Sequence, residues 1–547
     1  MLLLRRTRSC RSFPFLSLLC LVCVGSASAT AADVVCGDTD TDGLFETEDI
    51  QQCIDSLAGP GPHRVTLVAD TTFEPHFTDA ALFYNSLGFV ELESDMTLDC
   101  QGSTIRGIDH LAKQYPSGWT TPLSVLTNAD HTSSSQSDIW VLNCGIDGGM
   151  PVTYDETALR FDHDNYIAFS FEGVQGGGIV GSHVHDSHHA CVYIRNSRDI
   201  FAEDNDLIDC GGANNQGVFK QPALYLFQAG EAVQERITVR GNRAVRAGRV
   251  LYATRISEGN TEFQTGWMRD VLFENNYGNQ EGNGTGCIML RGARGIVARG
   301  NTCVNTAGIQ TTDLNTSYCS DNPALPIFRR AESSCLEDVL IEGNTLRSTH
   351  NPASNGAIAV YNHHDRVTVR NNRVIGTEGP APALVGCMRW ETPLRDFEVD
   401  GFCGMRCDAW GIEQGGLSIE QLGSPPNEAI TLRNVVIIEP QFEGALFRTR
   451  LEGLVVDGLA VRDSGGVPFL ALDELVGETL TNLDFEDGPL PGWANDVCAP
   501  AVPALAPWAT WMLRACLVVV GVIAAWTPSA KRRDSERPGP ASRRRPS

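Results

Sequence analysis

Lysine is almost absent. Lys113, Lys220 and Lys531 are the only three in 547 residues, and 42 basic side chains in all face 67 acidic ones. Residues 30–506 alone carry 65 acidic and 30 basic side chains, a net charge of −35. A surface of that sign repels nucleic acid and anionic lipid, so no nucleic-acid partner is expected. A polyanionic ligand would need a local arginine patch or bridging cations. Long apolar runs are missing from the body of the chain and stand only at its two ends. What the chain does have is 54 glycines, a composition of many turns and short strands.

The N-terminal run follows Arg5, Arg6, Arg8 and Arg11, extends from Phe13 to Val24 and precedes Ala27-Ser28-Ala29. A basic start, a short apolar core and a small-x-small site read as a secretory signal peptide over residues 1–29. At the other end an apolar run over 508–526, broken once by Arg514, is just long enough to span a bilayer at about 1.5 Å per residue. Arginine clusters follow it, so residues 527–547 read as a basic cytoplasmic tail and the inner membrane as a partner. The run is preceded by Val502-Pro503-Ala504-Leu505. Motif, apolar helix and arginine cluster together resemble bacterial C-terminal sorting signals of the IPTL-CTERM and PEP-CTERM kind. That resemblance implies transient anchoring and a sorting protease; a plain single-pass anchor is the other reading.

Fourteen cysteines lie between these ends, at 36, 53, 100, 144, 191, 210, 287, 303, 319, 335, 387, 403, 407 and 498. An even number in an exported chain favours disulfides over metal thiolates. Cys36/Cys53, Cys191/Cys210, Cys287/Cys303 and Cys319/Cys335 are near enough in sequence to staple loops to their neighbours, although sequence does not fix the pairing.

In the segment 36–49, Asp38, Asp40, Asp42, Gly43, Glu46 and Asp49 occupy positions 1, 3, 5, 6, 9 and 12 of an EF-hand or dockerin-like calcium loop. Asp38, Asp40, Asp42 and Asp49 are therefore the candidate Ca2+ ligands. The following Ile50-Gln51-Gln52-Cys53-Ile54-Asp55 resembles the amphipathic helix that covers the N-terminal end of pectin-lyase-like β-helices. Residues 30–94 are read as such a cap, with or without calcium.

The body is a repeat. Units Ile200–Asn205, Ile237–Asn242, Val271–Asn276, Ile296–Asn301, Val339–Asn344 and Val367–Asn372 share a period-2 pattern closed by asparagine, spaced 25 to 43 residues apart. Gly178–His183 and Ile139–Cys144 are weaker copies. No unit can bury its apolar side alone, so the coils must stack and share a core. Asparagine at a fixed turn tolerates left-handed backbone angles and can hydrogen-bond along a ladder. The fourth residues, Glu203, Arg240, Glu274, Arg299, Glu342 and Arg370, alternate in sign, as coils stacked in register would want. The pattern resembles the coils of the pectate-lyase superfamily. It implies an all-β fold: a right-handed parallel β-helix over 95–486, followed by a Pro-rich linker over 487–507. Residues 110–136, without periodicity, read as a loop.

The other strand of each coil presents Tyr193, Tyr225 and Tyr252 outward, with Arg195 and Arg291 in the neighbouring outward positions. Aromatic rings stack sugars and arginine grips a uronate carboxylate in two hydrogen bonds, so these five form a candidate polysaccharide surface. The same rings would also serve as a ladder that stiffens the sheet. His185, within His183-Val184-His185-Asp186-Ser187-His188-His189, is a candidate acid or base, or else turn filler. β-Helix polysaccharide lyases that use Lys or Arg as the base, with calcium on the uronate, make Arg195 and Lys220 candidates too. The expectation is an exported, surface-associated protein that binds or processes a polysaccharide, possible lyase chemistry resting on convergence of His185, Arg195, Lys220 and Tyr225. The alternative is a non-catalytic structural or adhesion protein whose β-helix is a rigid spacer.

Overall fold

The computed structural model describes residues 32–57, 61–75, 88–107, 124–130, 136–149, 167–211, 221–229, 232–255, 267–280, 286–306, 308–312, 336–347, 356–361, 364–376, 386–391, 394–406, 417–420, 427–439, 445–448, 451–452, 454–462, 470–472, 475–476, 478–485 and 489–498. They form a parallel β-helix. One coil shows the plan: Val192–Arg195, Arg198–Glu203 and Asp206–Cys210 lie on three successive faces. Each pairs in parallel with its counterpart one coil later, Pro222–Gln228, Val233–Arg240 and Arg243–Ala247. The strand ending in Glu203 defines the first face, the strand after the Asn turn the second, and the strand carrying Tyr193 the third. The third face is a sheet of thirteen strands. The first two faces run together towards the C-terminus, where Leu394–Met405 and Asn427–Ile438 pass unbroken from one to the other.

The expected two-strand unit therefore lacks one strand. The second-face strands are as short as Gly145–Asp147, below the length at which alternation shows. The stretch around His185, read in part as turn filler, is one of them: His183–Ser187. Ser124–Asn128, inside the stretch read as loop, is a third-face strand. The copy expected at Gly178–His183 is out of register by one, since Gly177 pairs with Ile200 and Val180 with Glu203. Ser182, rather than His183, therefore takes the asparagine position.

Alternation turns Ile200, Ile237, Val271, Ile296, Val339 and Val367 inward, each at most 2% exposed. The asparagines close the strands from inside. Asn276 Nδ2 donates to Asn301 Oδ1 (2.9 Å) and to Val239 O (2.9 Å), its backbone N–H donates to the same Asn301 oxygen (2.9 Å), and its own Oδ1 accepts from Asn242. The pattern repeats through Asn205, Asn242, Asn301, Asn344 and Asn372, all buried. The ladder starts from Ser182, whose N–H donates to Asn205 Oδ1 (3.0 Å), and beyond Asn372 the position passes to the apolar Phe402 and Val435.

The left-handed angle expected of these asparagines belongs to the residue before each one. Asp204, Gly241, Asn275, Gly300, Gly343 and Asn371 have φ between +54° and +67°. Asx and Gly mostly alternate there for a steric reason. A Cβ on Gly241 would stand 2.2 Å from Asp204 Oδ1, and one on Gly300 would stand 2.4 Å from Asn275 Oδ1. Gly343, which follows Gly300 in the stack, has open space instead.

The charge ladder forms on the outside of the first face. Arg240 meets Glu203 at 2.7 Å, Arg299 meets Glu274 at 2.5 Å and Arg370 meets Glu342 at 2.7 Å. These arginines are about half exposed, so each pair contributes only ~0.2–1 kcal/mol.

Both ends of the described body are covered. The helix Thr47–Asp55 buries Ile50, Cys53 and Ile54, and exchanges hydrogen bonds between Gln51 and Glu91 of the first third-face strand. At the other end, Gly492–Cys498, inside the stretch expected to be linker, forms a helix with Ala494 fully buried. Among the described residues the disulfides are Cys36–Cys53, Cys100–Cys144, Cys191–Cys210, Cys287–Cys303 and Cys403–Cys498, the last tying down that helix. Cys319 and Cys335 lie outside the described residues, as do residues 1–29, 508–526 and 527–547, on which the expected signal peptide, membrane segment and basic tail fall. Among the described residues, no helix is long and apolar enough to cross a membrane.

Asn276→Ala leaves the amide of Asn242 and the carbonyl of Val239 without their partner inside the core. Each orphaned group costs about 1–3 kcal/mol, against less than ~1 kcal/mol for Arg240→Ala on the charge ladder. Urea denaturation of both variants should rank them in that order, and equal losses would contradict the ladder's role.

Candidate functional site

On the third face, register does what alternation promised. Tyr193 pairs with Tyr225 and Tyr225 with Tyr252 on successive coils, and the next residue in the file is Met289. The Tyr225 and Tyr252 rings stack at 5.0 Å and 14°, while Tyr193 meets Tyr225 edge-on at 5.4 Å. Two positions along, the parallel file reads Glu172, Arg195, Phe227, Thr254 and Arg291. Phe227 lies 5.5 Å from Tyr225 and beneath the Arg195 guanidinium at 5.7 Å. Arg249 and Arg291 lie over Tyr252 at 4.7 and 5.7 Å. All five sequence-predicted surface residues thus belong to one patch.

The patch is less open than an outward row of tyrosines suggests. Tyr193 and Tyr252 are each only 6% exposed, whereas Tyr225 and Phe227 are partly open. Burial pushes the Tyr193 and Tyr225 hydroxyls well above the usual phenol range, so both remain protonated donors. The open part of the patch is Tyr225 and Phe227, flanked by Arg195 and Arg291.

Two further residues join it that residue pattern alone did not single out. Glu172 sits 3.1 Å from Arg195, mostly buried, and desolvation raises its pKa against the pull of the arginine. His189, in the corner between the second and third faces, packs against Tyr193 (5.9 Å) and in parallel with Tyr225 (5.7 Å). Removal from water, with His188 beside it, pushes its pKa down to about 3, so the imidazole stays neutral. The signal for Glu172 was its place one coil before Arg195, visible only once register is known.

His185 does not join this patch. It lies on the second face, with Nδ1 2.8 Å from Asp186 and 3.8 Å from Asp147 one coil earlier. The hydrogen bond to Asp186 raises its pKa, partly offset by burial. Arg195 engages Glu172 and Phe227 instead, so the expected convergence of His185 with Arg195 and Tyr225 does not occur. The reason is the third strand per coil, which turns His185 onto a face of its own. Lys220 lies outside the described residues.

In the N-terminal loop, Asp38, Asp40 and Asp42 bring carboxylate oxygens within 4.8 Å of one another. Gly43 makes the tight turn at φ +91°, and its N–H donates to Asp38 (2.7 Å). Asp38 Oδ1 is buried with no hydrogen-bond partner, as an oxygen meant for a cation would be. These three fit calcium. Asp49 does not stand with them: it is buried, its carboxylate accepts from the Thr39 and Glu46 N–H groups, and it closes the capping box of the following helix.

No protein-family model matches the chain, and no curated protein sequence does. Solved structures do. An exopolygalacturonase of Yersinia enterocolitica has 12% identity over 84% of this chain and 80% of its own, with a TM-score of 0.42. PfbA, a surface adhesin of Streptococcus pneumoniae, has 12% identity over 83% and 91%, with a TM-score of 0.40. A hyperthermoactive exopolygalacturonase of Thermotoga maritima has 11% identity over 74% and 91%, with a TM-score of 0.46. Likeness of this order carries no argument about what this chain does.

His189 ties stability to acid. Its folded pKa lies below the unfolded value near 6.5, so the unfolded chain binds the extra proton and stability falls as pH drops from about 6.5 towards about 3. His189→Gln removes that term. Denaturation midpoints of wild type and variant, measured from pH 7.5 to 4, should move apart in favour of the variant as pH falls; a constant offset would contradict a neutral, partly buried His189.

Proposed function

We propose that the chain is an exported, surface-associated β-helix that binds an acidic polysaccharide on its third face, centred on Tyr225 and Phe227. The observation that carries this reading is the in-register tyrosine file with arginine guanidiniums over its rings. Partly open rings offer a stacking surface, and Arg195 and Arg291 offer positive charge on a molecule that is otherwise strongly negative. Arg195 and Arg291 also each carry a buried Nε without an acceptor, so the protein does not use their full donor capacity. Tyr193 and Tyr252 act as the packed support beneath the patch.

Binding is favoured over lyase chemistry by the same geometry. A β-elimination needs a base at the sugar ring, and the titratable groups described here are protonated phenols, a neutral imidazole of very low basicity and a carboxyl pushed towards its protonated form. The non-catalytic adhesin reading is the one in which this patch serves as the contact surface. Export fits the five disulfides among the described residues, which belong to an oxidising compartment. The signal peptide over 1–29, the anchoring or sorting role of 508–526 and a right-handed winding complete the proposal, the last being the hand that parallel crossover connections take. Ca2+ at Asp38, Asp40 and Asp42 would brace the N-terminal cap, holding the loop against the helix that Asp49 starts.

Isothermal titration with an oligogalacturonate and with a neutral xylo-oligosaccharide tests the binding reading. The acidic oligomer should bind, with affinity about 10-fold lower in Tyr225→Ala and in Arg195→Ala, the loss of roughly 1.4 kcal/mol that one stacking or bidentate contact carries. No binding, or binding indifferent to both substitutions, would sink it. For the loop, calcium should raise the melting temperature of the wild type and leave Asp38→Asn unchanged; an equal rise in both would remove the ion from these residues.

A further inference from the structure

The second face carries a cluster that the polysaccharide reading leaves unused. Asp147 and His185 are cross-strand neighbours on adjacent coils, and Asp186 follows His185 at φ +53°. A left-handed residue at this point turns the Asp186 carboxylate back beside the His185 ring rather than across the strand, and His185 Nδ1 lies 2.8 Å from Asp186 Oδ2. One atom from each residue, imidazole nitrogen and two carboxylate oxygens, lies within 4.8 Å of the others, and all three side chains are partly buried.

The surroundings set this cluster apart from the other acidic groups of that face. Arg246 grips both oxygens of Asp209 (2.5 and 2.7 Å) and Arg243 takes Asp206 at 2.7 Å. Asp147 is held in place: the Gly149 N–H donates to its Oδ1 (2.8 Å), while Arg106 approaches its Oδ2 at 3.3 Å. Among the described residues Asp186 meets no arginine, and its side-chain partner is the His185 ring. Two carboxylates therefore converge on one imidazole nitrogen in a place where the neighbouring carboxylates have already been neutralised.

We propose that Asp147, His185 and Asp186 form a binding site for a divalent transition-metal ion of the zinc type, bridging two coils of the second face. The donor set decides the class. One imidazole nitrogen with two carboxylates suits Zn2+, with a fourth position left to water, whereas Ca2+ takes six to eight oxygen ligands and gains little from nitrogen. The site is distinct from the Asp38–Asp40–Asp42 loop, which offers oxygen alone. It is also independent of the third face, so glycan binding and metal binding stand or fall separately. In the metal-bound form the Nδ1 proton moves to Nε2 or to solvent, and Nδ1 becomes the ligand. The ion replaces one hydrogen bond with a tie between the coil of Gly145–Asp147 and the coil of His183–Ser187.

Chelator-treated full-length protein, titrated calorimetrically with ZnCl2 in the presence of excess CaCl2, tests the site. One Zn2+ per chain should bind, with affinity at least about 10-fold weaker in His185→Asn and in Asp186→Asn, and unchanged in Asp206→Asn. A measurement on the wild type alone guards against variants that fail to fold. Zn2+, and not Ca2+, should slow carbethoxylation of His185 at least about 10-fold, read by peptide mass spectrometry. Zinc uptake equal in wild type and a folded His185→Asn, or modification of His185 indifferent to Zn2+, would overturn the proposal.

Discussion

The asparagine ladder is the interaction on which the rest of the structure depends. A parallel β-helix must turn its backbone inward-side-out at every corner, and each corner leaves peptide groups facing a dry core. Asn205, Asn242, Asn276, Asn301, Asn344 and Asn372 meet that need with one side chain per coil, joining each rung to the next and to the preceding strand's carbonyl. Because each amide serves as donor to one coil and acceptor to another, the ladder fixes register as well as satisfying polarity. The outer faces of the coils that carry these rungs inherit that register: the alternating charges and the stacked tyrosines are cross-coil neighbours only because the rungs align.

Much of the fold was legible because the solenoid repeats its constraints. Apolar residues two apart, asparagine at a fixed place and sign alternation in the fourth position are each weak signals, and stacking makes them one. The alternation even continues past the expected units, since Arg370 pairs with Asp400 and Asp400 with Arg433 in register. What was not legible has short-range causes. A three-residue strand such as Thr302–Val304 has no period to read, so the second face was missed. Where Ser182 replaces asparagine, the repeat lost its marker and His183 was counted in its place. The tolerance of Asn for that angle points to the asparagine itself, whereas the positive φ of Asp204, Gly241, Asn275, Gly300, Gly343 and Asn371 shows that the preceding position carries it.

The site was legible in one respect and opaque in another. Tyr193, Tyr225, Tyr252, Arg195 and Arg291 were chosen by outward alternation, which depends only on the strand they occupy, and they do share one patch. Proximity in sequence points to His185, but the eight positions between it and Tyr193 are enough in a β-helix to cross a corner onto another face. Glu172 and His189 were passed over for the mirror-image reason, being close in space through the stack and the corner rather than through the chain. Burial was the further unknown: alternation says that Tyr193 points away from the core, but not that only 6% of it stays exposed.

Together these features describe a division of labour, with an inner ladder that builds the body and a third face on which we propose that ligands are met. A crystal structure of the protein soaked with an oligogalacturonate tests that division most directly. The account predicts sugar density against Tyr225 and Phe227, with a carboxylate at Arg195 or Arg291 and the asparagine ladder unaltered. Sugar bound along the Glu203–Arg240–Glu274 face, with the tyrosine patch empty, would contradict it.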